Sequence, residues 1–177
     1  MNSSEVKAVP VGFHTIAPHL IIKNAADAIK FYTNAFGVIE LDRHYGPDGS
    51  SVIHAVLKLG DSIVMLVEEF PDMATPSKCA SPKTIGGNSV MMHIYVEDAD
   101  IVFAKAISEG ATSIFPKMDA FWGDRYGQVM DPYGHIWEIA THKKDLSPEE
   151  ISSGAKAAFA EMCKSDIKDL NAAISTQ

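Results

Sequence analysis

Hydrophobic and polar positions follow the same order twice along the chain, once in each half. From His19 the sequence reads HLIIKNAADAIKFY, and from His93 it reads HIYVEDADIVFAKA. Each stretch has a short strand pattern, a polar turn and an apolar stripe at helical spacing that runs out at Gly37 or Gly110. A repeated unit of this length cannot bury its apolar face alone, so the two copies are predicted to share one structure.

The pattern predicts two β-α-β-β-β modules. Strands are expected over 13–22, 38–45, 52–59 and 63–68 in the first half, and over 90–96, 112–116, 125–130 and 135–141 in the second. The first helix is expected to start with Asn24 as its N-cap and to end at Gly37, and the second is expected over about 99–109. Each module therefore carries one helix and four strands.

Changes in composition divide the chain into five segments. These are a flexible arm over 1–12, the first module over 13–68, a linker or lid loop over 69–88, the second module over 89–142, and a helical tail over 143–177. The tail begins with Ser147, Pro148 and Glu150, which is typical of a capped helix start. We expect a helix over about 148–172 whose apolar face docks on its own body or on a partner chain.

Composition and charge exclude several classes of protein. The chain has 177 residues with 46% hydrophobic content, which is enough for a core without disulfide support. The net charge of -8 disfavours nucleic acid and anionic membranes as partners. No stretch approaches the ~20 apolar residues of a membrane span, and the N-terminus lacks a signal-peptide core. We therefore expect a cytoplasmic protein.

The end of the second module carries the most specific motif of the chain. Residues 131–138 read DPYGHIWE, and the first helix contains Phe31-Tyr32 and Phe36-Gly37. With the duplicated module, these residues resemble the vicinal oxygen chelate superfamily over roughly residues 13–142. That superfamily includes glyoxalase I, bleomycin- and fosfomycin-resistance proteins and extradiol dioxygenases. Residues 17–19, 121–125 and 140–150 look most similar to its PhnB-like branch.

The resemblance implies an α+β fold in which two tandem modules form an open cup of mixed sheet with the helices outside. In the metal enzymes of the superfamily, the first and last strands of each module supply four ligands to that cup. The matching positions here are Ala17, Met65, Met91 and Glu138. Only Glu138 is a competent ligand for a hard divalent ion, so the glyoxalase-type site is predicted to be dismantled.

A different metal set remains open. His19 and His93 each follow a lost ligand position by two residues, so the strand period of two directs both into the cup. His54 lies on an alternating strand and is a third candidate. With Glu138, these histidines would suit Zn, Ni, Fe or Mn. The alternative is that the histidines are framework residues inherited through the duplication.

Candidate ligand-binding residues lie near the predicted cup: Trp122, Phe121, Tyr95, Met65, Met91 and Arg125. The aromatic residues could stack on a flat ligand or simply close the cup, and the methionines could fill the core instead. Arg125 could clamp a carboxylate or phosphate, or pair with Asp124 or Asp131. Glu138 is the catalytic candidate, because a carboxylate in an apolar strand must be paired, ligated or protonated. Its alternative is a structural pair with an arginine or histidine.

Two functions are compatible with these residues and with the resemblance. The first is a glyoxalase I-related, metal-assisted lyase or dioxygenase acting on vicinal oxygens of a substrate. The second is a metal-free protein of the bleomycin-resistance type that binds and sequesters a small molecule. We expect a homodimer in either case, because the resemblance implies paired modules and the tail offers a spare apolar face.

Overall fold

The computed structural model describes residues 6–71 and 79–174, with side chains up to residue 162. Parts of the predicted arm (1–5), of the linker or lid (72–78) and of the tail (175–177) lie outside the described residues. The elements in chain order are β1 (His19–Ile22), α1 (Ala25–Phe36), β2 (Ile39–Tyr45), β3 (Val52–Leu59), β4 (Ser62–Glu68), α2 (Pro82–Ile85), β5 (Met91–Tyr95), α3 (Ala99–Ser108), β6 (Thr112–Asp119), β7 (Asp124–Met130), β8 (Ile136–His142) and α4 (Pro148–Ile174).

The strands form two four-stranded mixed sheets with the same topology. The first has the order β1-β4-β3-β2 and the second the order β5-β8-β7-β6. In each sheet the first strand of the module pairs in parallel with the last, and the other pairs are antiparallel. This arrangement confirms the predicted α+β fold of two tandem modules with a C-terminal helix.

Each sheet has one face covered by its own helix and one open face. In the first sheet Leu20, Leu57 and Leu66 are buried on the face that α1 covers. The strand period of two places the intervening residues, such as His19 and Met65, on the open face. In the second sheet Trp137 and Ile139 are buried on the face toward α3, and Glu138 lies on the open face.

The two modules pack together through their helices. Helices α1 and α3 contact each other, and their buried side chains belong to one hydrophobic core. The ring of Trp137 lies 5.2 Å from that of Tyr32 and 4.7 Å from that of Phe36, both on α1. The helix-covered faces are therefore turned toward each other. The two open faces are turned away from the shared core.

The carboxylate of Asp131 joins the two modules. Asp131 is 3% exposed and accepts hydrogen bonds from the hydroxyl of Tyr32 (2.7 Å) and the indole N–H of Trp137 (2.9 Å). It also accepts the backbone N–H groups of Tyr133 and His135, each at 2.9 Å. The most specific motif of the sequence thus closes a turn and ties it to α1.

Two features at the element boundaries of the first module differ from the predictions. Strand β1 begins only at His19, because Pro18 has no N–H to donate and contributes only its carbonyl, which accepts the N–H of Met65. The prediction that the Asn24 side chain caps α1 is wrong: the Glu68 carboxylate accepts the N–H groups of Asn24 and Ala25 instead.

The capped start of the tail helix is confirmed. The N–H of Glu150 donates to Ser147 Oγ at 3.2 Å, and the N–H of Ser147 donates to the Glu150 carboxylate at 2.8 Å. Helix α4 then runs to Ile174. Among the residues with described placement, none of the helices has the length and apolar character needed to cross a bilayer.

Candidate functional site

The open face of the second sheet carries a polar cluster centred on Glu138. Neighbouring strands β5, β7 and β8 place His93, Gln128 and Glu138 side by side in register. One carboxylate oxygen of Glu138 accepts hydrogen bonds from the hydroxyl of Tyr126 and from Gln128 Nε2, the latter at 3.1 Å. The other oxygen lies 3.1 Å from His93 Nδ1. We call these four residues the Glu138 cluster.

The cluster holds Glu138 in its ionised form. Burial raises the pKa of Glu138, but the hydrogen bonds from Tyr126 and His93 lower the pKa by more than burial raises it. The pKa of Glu138 therefore lies below its ordinary value. Burial, together with the hydrogen bond to Glu138, raises the pKa of Tyr126 to about 12. A carboxylate flanked by a neutral phenol, an amide and an imidazole is therefore the stable state of the cluster.

His93 is the accessible member of the Glu138 cluster. An ionised carboxylate can only accept, so His93 Nδ1 must be the donor in their contact. The imidazole ring lies 4.8 Å from the Tyr95 ring and 6.2 Å from the Tyr126 ring, nearly parallel to the latter. About a third of the side chain (33%) is exposed. In the neutral ring, Nε2 then carries the lone pair.

A second carboxylate, Asp124, lies on the same open face. It is 2% exposed and accepts hydrogen bonds from the Tyr95 hydroxyl (3.0 Å), Trp122 Nε1 (2.9 Å) and His142 Nδ1 (2.8 Å). Burial raises the pKa of Asp124, but these hydrogen bonds lower it more. The buried charge fixes Tyr95 and Trp122 at the edge of the Glu138 cluster.

His142 links this face to the tail. Its second ring nitrogen lies 3.0 Å from Asp145, so both nitrogens face carboxylates and the ring must be protonated to satisfy both. The hydrogen bonds to Asp145 and Asp124 accordingly raise the pKa of His142. The start of the tail is thereby attached to the strand that carries Glu138.

Aromatic side chains line this open face. The Trp122 ring lies 5.1 Å from that of Tyr126, and the Phe115 ring lies 6.3 Å from it. Phe121 packs edge-on to Trp122 at 4.9 Å and backs onto Gly154 of α4, where a Cβ would approach Phe121 within 3.0 Å. The tail helix α4 thus packs against Phe121, which in turn packs against Trp122.

The open face of the first sheet carries histidines but no comparable cluster among its described residues. The rings of His19 and His54 lie 5.7 Å apart, and His44, paired with Asp42, lies 6.4 Å from His54. Burial and the neighbouring His54 lower the pKa of His19. Beside His19, a pocket of about 170 Å³ lies between β1 and the segment that leads into β5.

The proposed metal ligands form two pairs on two different sheets. His19 meets His54, and His93 meets Glu138, but the described residues contain no group of three or more His, Cys, Asp or Glu side chains able to hold an ion. Three of the about four lone-pair sites of Glu138 accept hydrogen bonds from donors of its own chain. The described side chains of a single chain therefore do not fit a metal site.

The other candidates are distributed over both faces. Arg125 lies on the helix-covered side, where its guanidinium binds Asp100 of α3 (3.0 Å) and Asp119 (3.4 Å). Arg125 thus forms ion pairs within its own chain. Its partners are Asp100 and Asp119, not Asp124 or Asp131 as considered from the sequence. Met65 and Met91 lie on the open faces. Met65 is the cross-strand neighbour of His19, and Met91 is that of Ile136.

Sequence reasoning missed Tyr126, Gln128, Asp124 and His142. A signal was present, since Tyr126 and Gln128 alternate on the strand before Glu138. Which of them lies opposite Glu138 depends on the register of β7 and β8, which pairs Gln128 with Glu138. Predicting that register requires the exact length of the hairpin turn between the two strands.

Comparisons with known proteins agree with this architecture. A family model described as Glyoxalase/Bleomycin resistance protein/Dioxygenase superfamily matches residues 12–139. An uncharacterized protein of Mycobacterium tuberculosis is 41% identical over 138 residues, which cover 78% of this chain and 80% of that protein. The X-ray structure of a gene product from Arabidopsis thaliana has a TM-score of 0.57 and 26% identity, with 72% and 98% of the two chains covered. A PhnB protein from Bacillus cereus has a TM-score of 0.54 and 20% identity, with 72% and 99% covered, which shows a shared fold.

Proposed function

Because the chain belongs to the Glyoxalase/Bleomycin resistance protein/Dioxygenase superfamily, we propose that it binds a small planar organic molecule on the open face of its second sheet, without a metal ion. The observation that carries this proposal is the Glu138 cluster. There, an imidazole that is one-third exposed among the described residues contacts the rings of Tyr95 and Tyr126 and the Glu138 carboxylate.

The chemistry of this face favours a flat, uncharged or weakly acidic ligand. Tyr95, Phe115 and Trp122 offer ring faces and edges for stacking. The carboxylates of Glu138 and Asp124 already have donors from their own chain, so neither demands a cationic ligand. Arg125 is engaged on the other side of the sheet. It is therefore not placed to bind a strongly anionic ligand on this face.

A second copy of the chain would complete the binding cup. The open face of the second sheet exposes Met91, Tyr95, Phe115 and Met130, and that of the first sheet carries the partly exposed Ile21, Val56, Met65 and Val67. Apolar surface of this kind on a sheet is typical of an interface. Because the two open faces point away from the shared core, the first-sheet face of one molecule can meet the second-sheet face of another. We therefore propose a homodimer with two equivalent cups.

The metal-assisted alternative makes a prediction of its own, which we expect to fail. It would require a divalent ion on Glu138 with His19, His54 and His93, and the Glu138 donors would have to be displaced. We expect elemental mass spectrometry of untagged protein to find no stoichiometric Zn, Ni, Fe or Mn. Stoichiometric metal that disappears in both Glu138→Gln and His19→Ala would overturn the metal-free proposal.

Ligand binding is tested with 4-nitroanisole, a planar neutral probe whose nitro group quenches nearby tryptophan fluorescence. We expect saturable quenching of Trp122 and a dimer in analytical ultracentrifugation. Phe115→Ala should weaken binding about 5- to 10-fold, because losing one aromatic contact removes ~1–1.5 kcal/mol. Ile101→Ala is the control, since that isoleucine is 66% exposed on α3, the helix on the other side of the second sheet, and its loss should leave affinity unchanged. Equal weakening by both variants, or no saturable binding, would contradict the proposal.

A further inference from the structure

Both oxygens of the Glu138 carboxylate serve its neighbours. Tyr126 and Gln128 donate to one oxygen, and His93 faces the other. Three of the about four lone-pair sites of the carboxylate therefore face donors of its own chain. Glu138 has the contacts of a group that orients and stabilises an imidazole.

The tautomer of His93 follows from these contacts. Nδ1 donates to Glu138, so the neutral ring presents a lone pair at Nε2. Among the described residues, no hydrogen bond to Nε2 is present, and the side chain is 33% exposed. The Tyr95 ring lies 4.8 Å and the Tyr126 ring 6.2 Å from the imidazole, so both limit the space into which it can turn. The accessible polar atom of His93 is therefore an oriented proton acceptor.

We infer that His93 takes a proton from the bound ligand, with Glu138 as its positioning residue, and that the ligand is a planar phenol or enol. This inference rests on the proposed binding function. The ligand O–H bond breaks and its electron pair stays on the ligand oxygen. The proton forms the second N–H bond of His93 at Nε2. The imidazolium is then flanked by the Glu138 carboxylate and the phenolate or enolate, so no metal is needed to stabilise the ligand anion.

The aromatic surroundings restrict the ligand class. A phenol or enol is flat enough to lie against Tyr95 and Trp122, and it has one acidic O–H for one acceptor. The titratable groups facing His93 are Tyr95 on its own strand, Tyr126 on β7 and Glu138 on β8, with Asp124 behind Tyr95. Of these, only the two carboxylates are charged at neutral pH, and Glu138 is the one in direct contact with His93.

The test uses 4-nitrophenol, whose phenol and phenolate forms absorb at different wavelengths. We expect bound 4-nitrophenol to ionise at least one pH unit below the free compound, about a tenfold change in its ionisation equilibrium. In His93→Gln the shift should vanish while 4-nitroanisole still binds. In Glu138→Gln the shift should shrink several-fold. His14→Gln is the matched control, because His14 contacts the Asp61 carbonyl in the first module, and it should keep the full shift.

Each other result has a defined meaning. If 4-nitroanisole binds and 4-nitrophenol binds with its free ionisation midpoint, the inference about His93 is overturned and the binding function stands. A full shift in Glu138→Gln would overturn the positioning role of Glu138. If neither probe binds to the wild type, the binding function itself fails. A shift that EDTA abolishes and zinc restores would overturn the metal-independent step, whereas a shift that survives EDTA supports it.

Discussion

Replacing Asp131 by alanine is expected to lower the free energy of unfolding by about 3–5 kcal/mol. The substitution removes the acceptor for four donors, two of them the side chains of Tyr32 and Trp137 in the shared core. A buried donor left without an acceptor costs ~1–3 kcal/mol, and Asp131 itself is almost fully buried. Urea unfolding followed by far-UV circular dichroism measures the change. This loss is a large fraction of the ~5–15 kcal/mol by which a folded domain is typically stable.

The matched control for Asp131 is Tyr32→Phe. This change removes one of the four hydrogen bonds and keeps the packing of the ring on Trp137. It should cost only ~1 kcal/mol, the usual net value of one hydrogen bond. If Asp131→Ala costs no more than Tyr32→Phe, the carboxylate does not hold the two modules together through its four hydrogen bonds.

The second large effect is expected at Gly123. This residue has a φ of +102°, and a Cβ placed there would lie 2.3 Å from the carbonyl oxygen of Lys144. The Gly123 carbonyl also accepts the N–H groups of Lys143 and Lys144, both at 3.0 Å. Gly123→Ala should therefore cost about 2–3 kcal/mol in backbone strain or detach the start of the tail. Urea unfolding measures the first outcome, and faster trypsin cleavage after Lys143 and Lys144 measures the second.

Gly87→Ala is the control for Gly123→Ala. Nothing lies within 4 Å of a Cβ at Gly87, and its φ is not positive. The free energy of unfolding of Gly87→Ala should change by less than ~1 kcal/mol. Trypsin cleavage after Lys143 and Lys144 should stay slow in this variant. Unchanged stability together with unchanged cleavage in Gly123→Ala would show that the contact between Gly123 and the tail is not needed.

Both substitutions also reach the Glu138 cluster indirectly. Asp131 is hydrogen-bonded to His135, directly before β8. Gly123 lies between Trp122 and the first residue of β7. Movement of either strand would change the distance between His93 and Glu138. We therefore expect partial loss of ligand ionisation in these variants even where the chain still folds.

The local sequence was sufficient to predict the fold and part of the site. The duplicated apolar pattern predicted two β-α-β-β-β modules, since alternation and helical spacing are local signals. The capping box at Ser147 was predictable for the same reason, because both partners lie within one turn. The resemblance placed Glu138 on the cup side of its strand, the period of two placed His93 there, and Glu138 was recognised as a carboxylate that needs a partner.

Only the tertiary structure determined which residues these side chains and helix ends contact. Arg125 pairs with Asp100, 25 residues away, and the start of α1 is capped by Glu68 rather than by Asn24. The contact of His93 with Glu138 spans 45 residues and depends on a parallel register that no local pattern encodes. The orientation of the two open faces likewise follows from the packing of α1 on Trp137. Sequence periodicity determines which side of a strand a residue occupies, but only long-range packing determines what it meets there.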